Sequence, residues 1–141
     1  MMNANNRAAY ARRIEQISAS IRLANQYLQM NEMRFGNRVR SLRGLIKMQN
    51  PSLNQRIRRI QIINYLQRRT PRVRPRIHFF LITSTDLLSK LQWIDFYLSF
   101  LNEPPQLLQK TRDVVVELQA VIERLENQLD IINWISGYIL N

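Results

Sequence analysis

The stretch VVELQAVIERLENQLDII, residues 115–132, repeats an apolar side chain at alternating steps of three and four residues. The apolar positions are Val115, Leu118, Ile122, Leu125, Leu129 and Ile132, and after a gap at Ser136 the series resumes at Ile139. This is the period of an α-helix with one apolar face. It predicts a helix from about residue 105 to 140, roughly 50 Å long at 1.5 Å per residue.

The first 48 residues follow the same period. A helix is expected over residues 4–35, because one stripe with 4-3 spacing is formed by Tyr10, Ile14, Ile17, Ile21, Ala24 and Leu28. Gly36 and Asn37 are predicted to end it, since both residue types tolerate the left-handed backbone of helix ends. A shorter helix over residues 38–48 follows, with its inward side formed by Val39, Leu42 and Ile46.

The middle of the chain is divided by its prolines. Pro51 is expected to open a third helix, with Asn50 as its N-cap. Its inward side is predicted to consist of Leu53, Ile57, Ile60 and Ile63. Residues 70–76, which contain Pro71 and Pro75, are predicted to be an extended strap, because proline disfavours helix interiors.

Beyond the strap, residues 77–83 fit either a strand or the start of a helix that runs to about residue 102. One apolar face of that helix contains Phe80, Leu87, Leu91, Ile94, Leu98 and Leu101. A second face contains Trp93, Phe96 and Phe100, which predicts a central position in the bundle. The fold class expected is all-α: a bundle of four to five helices with a long C-terminal helix and a short Pro/Arg-rich extended strap.

Charge divides the chain, which we expect to form a single helical domain over residues 1–141. Residues 1–76 contain 17 Lys or Arg and two acids, a net charge of +15, whereas the apolar and acidic residues 77–141 carry −4. Arginine outnumbers lysine 18 to three, and its planar donor fork suits phosphates better than a compact ammonium does. This asymmetry favours nucleic acid or another polyanion as the partner of the basic half.

The predicted nucleic-acid-binding residues are the cations of three clusters: Arg34, Arg38, Arg40, Arg43 and Lys47; Arg56, Arg58 and Arg59; and Arg68, Arg69, Arg72, Arg74 and Arg76. Tyr65 lies among them and is a candidate for stacking on a base. Binding of this kind is dominated by phosphate contacts and is not sequence-specific. Two simpler interpretations remain: a solvated charged face, and a basic connection between helices. The stretch RRTPRVRPR, residues 68–76, also matches a nuclear localisation patch.

Enzymatic chemistry is not expected. The chain has no cysteine, no Gly-rich phosphate loop and no nucleophile motif. Its one histidine, His78, precedes Phe79 and Phe80 and is predicted to be structural or partly buried. The acidic residues of the last helix, Glu117, Glu123, Glu126 and Asp130, are predicted to form a solvated surface, so neither a metal nor a cofactor is expected.

Assembly is predicted through the apolar end of the C-terminal helix, which contains Ile132, Trp134, Ile135, Tyr138, Ile139 and Leu140. The function that the sequence favours is a structural, nucleic-acid-binding component of a nucleoprotein particle, viral or ribosomal, that forms a homo-oligomer or joins a larger assembly. It would act inside the cell, in the nucleus or within the particle, and is not expected to be secreted.

Two other functions remain open. One is an adaptor subunit whose arginine face docks an acidic protein. The other is a peripheral protein whose residues 38–48 lie on anionic lipid, although a membrane partner is not expected. The longest uncharged apolar stretch, residues 77–85, is too short to span a bilayer, which needs about 20 residues.

Overall fold

The computed structural model describes residues 4–101 and 105–139, and within these ranges every regular element is helical. The elements are α1 (Ala4–Asn31), a π-helical turn (Glu32–Gly36), α2 (Asn37–Ile46), α3 (Leu53–Phe100) and α4 (Pro105–Ile139). The all-α prediction is confirmed. The predicted count of four to five helices is wrong. The first two predicted helices join through the π turn into one helical run, and the two predicted on either side of residues 70–76 are the single helix α3, so the described chain forms three long helices.

The first run continues through the residues that were predicted to stop it. Gly36 and Asn37 both have right-handed helical backbone angles, with φ of −63° at each. The buried series Ile14, Ile17, Ile21, Ala24 and Leu28 confirms the α1 stripe, and it continues to Asn31, Phe35 and Val39. The last two steps are both of four residues, one more than the 4-3 rhythm allows. The π turn absorbs that extra residue, so Phe35 and Val39 both face the core.

Helix α3 begins two residues later than predicted and is capped by Ser52, not by Asn50. The Ser52 hydroxyl accepts from the Gln55 amide at 3.3 Å, and the Gln55 side chain accepts from the Ser52 amide at 2.7 Å. This reciprocal capping box satisfies two of the backbone donors that a helix start leaves without partners.

The predicted extended strap is wrong, because Pro71 and Pro75 lie inside α3. Residues 77–83 are likewise helical, as part of the same element. Proline removes the N–H that would bond the carbonyl four residues earlier, here those of Gln67 and Pro71. Both of these residues are exposed and lie on one outward side of α3, so water can reach the released carbonyls. Tertiary packing supplies the remaining stabilisation: Val73 and Ile77, on the opposite side, are buried.

The inward side of α3 is also not the one predicted for its first turns. Leu53, Ile57 and Ile60 are exposed and Ile63 is half-buried at the edge of the core, whereas Ile62 and Leu66 are buried. Farther along, Leu91, Ile94 and Leu98 are buried as predicted. The second apolar face, Trp93, Phe96 and Phe100, is exposed, so α3 is not enclosed on both sides.

The three helices run alternately up and down. Tyr10 packs against Tyr97 and Tyr27 against Phe80, so α1 and α3 are antiparallel. Arg112 pairs with Asp95 and Arg74 with Asn133, so α3 and α4 are antiparallel as well.

Helix α4 has the predicted length, with its buried face shifted by one position. Leu118, Leu125 and Ile132 are buried as expected, while their buried neighbours are Val114, Val121, Gln128 and Ile135. Val115, Ile122 and Leu129 lie at the edge of the core. Gln128 accepts from the Asn31 side chain at 2.7 Å, and this buried polar pair fixes the register of α4 against α1.

Candidate nucleic-acid interface

The thirteen predicted cations lie at one end of the bundle, which we call the basic end and define as residues 31–76 and 126–139. Because the first helical run and α3 are antiparallel, the C-terminal part of one lies beside the N-terminal part of the other. This end contains the thirteen cations and three acids, Glu32, Glu126 and Asp130, whereas the rest of the sequence has eight cations and seven acids. The charge asymmetry along the sequence thus becomes an asymmetry between the two ends of the bundle.

A groove of about 460 Å³ opens between α2 and α3 at this end. Its lining combines three arginines, an aromatic ring and small polar side chains: Asn37, Arg38, Ser41, Arg58, Gln61, Ile62, Tyr65 and Arg68. The Arg38 guanidinium lies over the Tyr65 ring, 3.9 Å from its centroid, and donates to the Arg34 carbonyl at 2.6 Å. Cations, amides and a ring face in one groove are the groups that bind phosphates and bases.

The basic surface continues from the groove along α3. Arg58, Tyr65, Arg68, Arg72 and Arg76 follow one another at steps of three, four or seven residues and therefore share one side of the helix. From Arg58 to Arg76 this side is about 27 Å long. We call these residues, together with Arg38, the arginine track.

The far end of the track reaches Tyr27. The Arg76 guanidinium lies 5.4 Å from the centre of the Tyr27 ring. Burial raises the pKa of the Tyr27 hydroxyl above its ordinary value, and the positive charges of Arg76 and Arg69 oppose that shift. The track thus ends against a half-buried, uncharged ring.

Three of the predicted residues instead hold the end of α4. Arg59 donates to the Tyr138 hydroxyl at 2.6 Å, and Arg43 lies 4.6 Å from the centre of the Trp134 ring. Arg74 donates to Asn133 at 2.9 Å and to Ser136 at 2.5 Å. These three guanidinium groups contact neutral acceptors and rings, so they bind the helix end while keeping their charge.

No predicted cation forms an ion pair with another residue in the described ranges. The salt bridges there are Lys90–Asp86, Lys110–Glu15, Arg112–Asp95 and Arg124–Glu32, and none of their cations is among the thirteen. Arg40 donates to Asn37. Seven of the thirteen side chains make no hydrogen bond or cation–π contact within the described parts of the chain. They are Arg34, Lys47, Arg56, Arg58, Arg68, Arg69 and Arg72. The positive charge of the basic end is therefore largely uncompensated.

Some of the predicted assembly residues are buried in the core of the single chain, and others lie nearer its surface. Ile132 and Ile135 are fully buried within the single chain and do not form a free surface. Trp134 is half-buried under Arg43, and Tyr138 is stacked on it at 5.5 Å. Leu140 and the side chain of Ile139 lie outside the described residues. Assembly through α4 stays a prediction that depends on Trp134 and Tyr138.

Two other predictions concern single side chains and charges. His78 is exposed on the outward side of α3, so the prediction that it is partly buried is wrong. Glu117, Glu123, Glu126 and Asp130 are exposed, as predicted. In the described ranges no three potential metal ligands cluster, and no helix there has the length and apolar character that crossing a bilayer requires.

Asn37 and Gln61 are site residues that the sequence analysis did not identify. Gln61 lies three residues after Arg58 and four before Tyr65, so helical spacing alone places it on the arginine track. The interpretation of Asn37 as a helix stop is wrong, because Asn37 lies within the helical run and lines the groove.

The fold and the site define a class: a three-helix bundle with one strongly basic, arginine-rich end. Comparison of the chain with protein-family models, with curated protein sequences and with solved structures gives no match.

Proposed function

We propose that this chain is a non-enzymatic structural protein that binds nucleic acid through the basic end of its bundle, as a component of a nucleoprotein particle. The observation that carries the proposal is the concentration of thirteen cations at that end, none of which is neutralised by a described carboxylate. Keeping this many like charges together without partners costs stability, and a phosphate backbone removes the cost.

The arginine track supplies the phosphate contacts. Its length of about 27 Å corresponds to roughly eight nucleotides of one duplex strand at 3.4 Å each. Its arginines are carried by a rigid helix, so their spacing is fixed before the nucleic acid arrives. Tyr65 offers the ring face on which an unpaired base can stack once the Arg38 guanidinium moves aside or stacks above it.

Sequence specificity is expected to be low. Phosphate contacts set position and affinity, whereas base edges carry the sequence information. The groove offers only two side-chain amides, Asn37 and Gln61, for contacts to base edges. Binding should therefore be similar for unrelated sequences of equal length.

The salt dependence of binding tests the proposal. We expect the affinity for a mixed-sequence duplex to fall steeply between about 50 and 200 mM salt, with a log–log slope of about −0.9 for each phosphate neutralised. Replacing Arg58, Arg68 and Arg72 with Gln should reduce the slope by about 2.7 if each contacts one phosphate. Fluorescence anisotropy across a salt series measures both quantities.

A matched control carries the same change of charge outside the basic end. Arg12, Arg13 and Arg22 are exposed residues of α1, and their replacement by Gln should leave the slope close to that of the parent protein. If both triple variants lose affinity equally, net charge and not the arginine track governs binding. Tight binding to polyglutamate without binding to nucleic acid would favour the adaptor function, with an acidic protein as partner.

A further inference from the structure

The outward face of α3 exposes eight large apolar side chains. They are Leu53, Ile57, Ile60, Phe79, Ile82, Trp93, Phe96 and Phe100, and their exposed fractions range from 45% to 77%. Scattered apolar residues are ordinary on a protein surface, but three apolar groups along one side of a single helix, at residues 53–60, 79–82 and 93–100, are typical of an interface. Trp93 and Phe96 are already stacked on each other, with ring centres 5.7 Å apart.

The row has the spacing of a coiled-coil seam. From the N-terminal end inward, the positions are Leu53, Ile57, Ile60, Asn64, Gln67 and Pro71, at steps of 4-3-4-3-4. From the C-terminal end inward, the positions are Phe100, Phe96, Trp93, Ser89, Asp86 and Ile82, at the same steps. Because a row with 4-3 spacing reads the same from both ends, two copies of it can pack antiparallel about a two-fold axis as a self-complementary interface.

We propose that the outward face of α3 binds the same face of a second copy of this chain, with the two α3 helices antiparallel. In this register Leu53 faces Phe100 of the second copy, Ile57 faces Phe96, and Ile60 faces Trp93. Each apolar layer combines an aliphatic with an aromatic side chain, which fills the space between two helices better than two aromatic rings do.

The inner layers are consistent with the same register. Asn64 falls opposite Ser89 of the second copy, and Gln67 falls opposite Asp86, and all four residues are exposed in the single chain. The Asn64 side chain can exchange hydrogen bonds with the Ser89 hydroxyl, and the Gln67 amide can donate to the Asp86 carboxylate. Because the polar layers of the seam hydrogen-bond to one another, burying them costs little free energy, and these bonds favour one register over the others.

Charge favours the antiparallel orientation over the parallel one. A parallel pair would bring two basic ends together, each with thirteen cations and three acids. The antiparallel pair places each basic end beside the other copy's C-terminal part of α3, where residues 77–100 contain one cation, Lys90, and two acids, Asp86 and Asp95, that pair within the chain with Lys90 and Arg112. Each basic end therefore meets a nearly neutral surface instead of a second basic end. The two basic ends lie at opposite extremes of the dimer and remain open to nucleic acid.

The area is sufficient for a stable dimer. Seven side chains occupy seam positions, and if each buries on the order of 100 Å² they give about 700 Å² per copy, close to the size of a standard specific interface. The aromatic cluster of Trp93 and Phe96 supplies the kind of anchor that dominates binding energy. The dimer forms through α3 and needs no contact from the end of α4.

Cysteine cross-linking tests the register, because the chain has no cysteine of its own. Two variants, Ile57→Cys and Phe96→Cys, should form few disulfide dimers alone and should form them efficiently when mixed and oxidised. Within one chain these positions are about 58 Å apart along α3, so they cannot bond to each other. Efficient cross-linking of each variant alone, with none in the mixture, would overturn the antiparallel register.

The oligomeric state tests the interface itself, in high salt and without nucleic acid. Sedimentation equilibrium should give a dimer at tens of micromolar, and Trp93→Glu with Phe96→Glu should give a monomer with unchanged helicity. Val116→Glu, at an exposed apolar position of α4, is the matched control and should remain dimeric. A monomeric parent protein would overturn the proposal. If that monomer bound neutral lipid vesicles through Trp93, the face would be a membrane contact.

Discussion

Among single residues, arginine has two different roles in this bundle. Arg58, Arg68 and Arg72 extend into solvent without partners, whereas Arg43, Arg59 and Arg74 hold the end of α4 through hydrogen bonds and ring contacts. The difference depends on the side of α3 or α2 that each residue occupies. Residues that look equivalent in the sequence should therefore respond differently to the same substitution.

Arg72 and Arg74 provide the direct comparison. Arg74→Gln should lower the free energy of unfolding by about 1–2 kcal/mol, because it removes the hydrogen bonds to Asn133 and Ser136. Arg72→Gln should change it by less than about 0.5 kcal/mol, since that side chain is exposed. Urea unfolding followed by circular dichroism measures both. Equal stability of the two variants would mean that the Arg74 contacts contribute nothing.

Among the helices, α3 shows how a long element tolerates two prolines. Pro71 and Pro75 lie four residues apart on the outward side, so both released carbonyls face water and the buried side of the helix keeps its packing. Local propensity still disfavours this arrangement. The helix is held by the burial of Val73 and Ile77, between the two prolines and just beyond them.

Replacing Pro71 or Pro75 with Ala should therefore stabilise the protein. Each change restores one backbone donor and removes a clash within the helix, and we expect a gain of about 1–3 kcal/mol in the free energy of unfolding. Chemical denaturation of the two single variants provides the measurement. A loss of stability would instead indicate that the local bend at the prolines is needed to fit α3 to α4.

The buried pair Asn31–Gln128 sets the register between α1 and α4. Asn31→Ala should lower the free energy of unfolding by about 1–3 kcal/mol, because the buried Gln128 Oε1 loses the hydrogen bond that the Asn31 side chain donates. Replacing both residues with Leu should be much closer to neutral in stability, since no buried polar group is then left alone. Thermal unfolding of the single and double variants distinguishes the two effects. If the double variant loses as much stability as the single one, altered packing and not the unpaired amide accounts for the loss.

Across the whole molecule, the bundle separates a core from an outer apolar row on the same helix. Leu91 and Phe100 both belong to α3, yet Leu91 is fully buried and Phe100 is largely exposed. The core includes residues from all three long helices, so its loss affects folding as a unit. The outer apolar row contributes no comparable stabilisation within one chain.

Leu91→Ala should cost about 2–4 kcal/mol through the cavity that it leaves, whereas Phe100→Ala should cost less than about 0.5 kcal/mol in the monomer. Measurement at submicromolar concentration, where a dimer would be dissociated, isolates the monomer's stability. A large effect of Phe100→Ala under those conditions would place Phe100 in the intramolecular core, contrary to its exposure.

Local sequence was enough to predict most of the helical content and the charge asymmetry. The stripe of α1, the length of α4 and the exposed acids of α4 follow from periodicity and composition, which act within a few turns of one helix. The arginine clusters were likewise visible, because the charge of a side chain does not depend on the fold.

The buried face of α3 and the positions of the arginines depend instead on how the helices pack. Both faces of α3 have an apolar rhythm, and periodicity shows which residues share a face but not which face meets α1 and α4. The same dependence on neighbouring helices explains why Pro71 and Pro75 can lie inside α3. Their destabilising effect on the helix is offset only because its other side is packed against the core. This dependence also explains the basic end, since the clusters of α2 and α3 become one surface only when the chain turns back between residues 46 and 53.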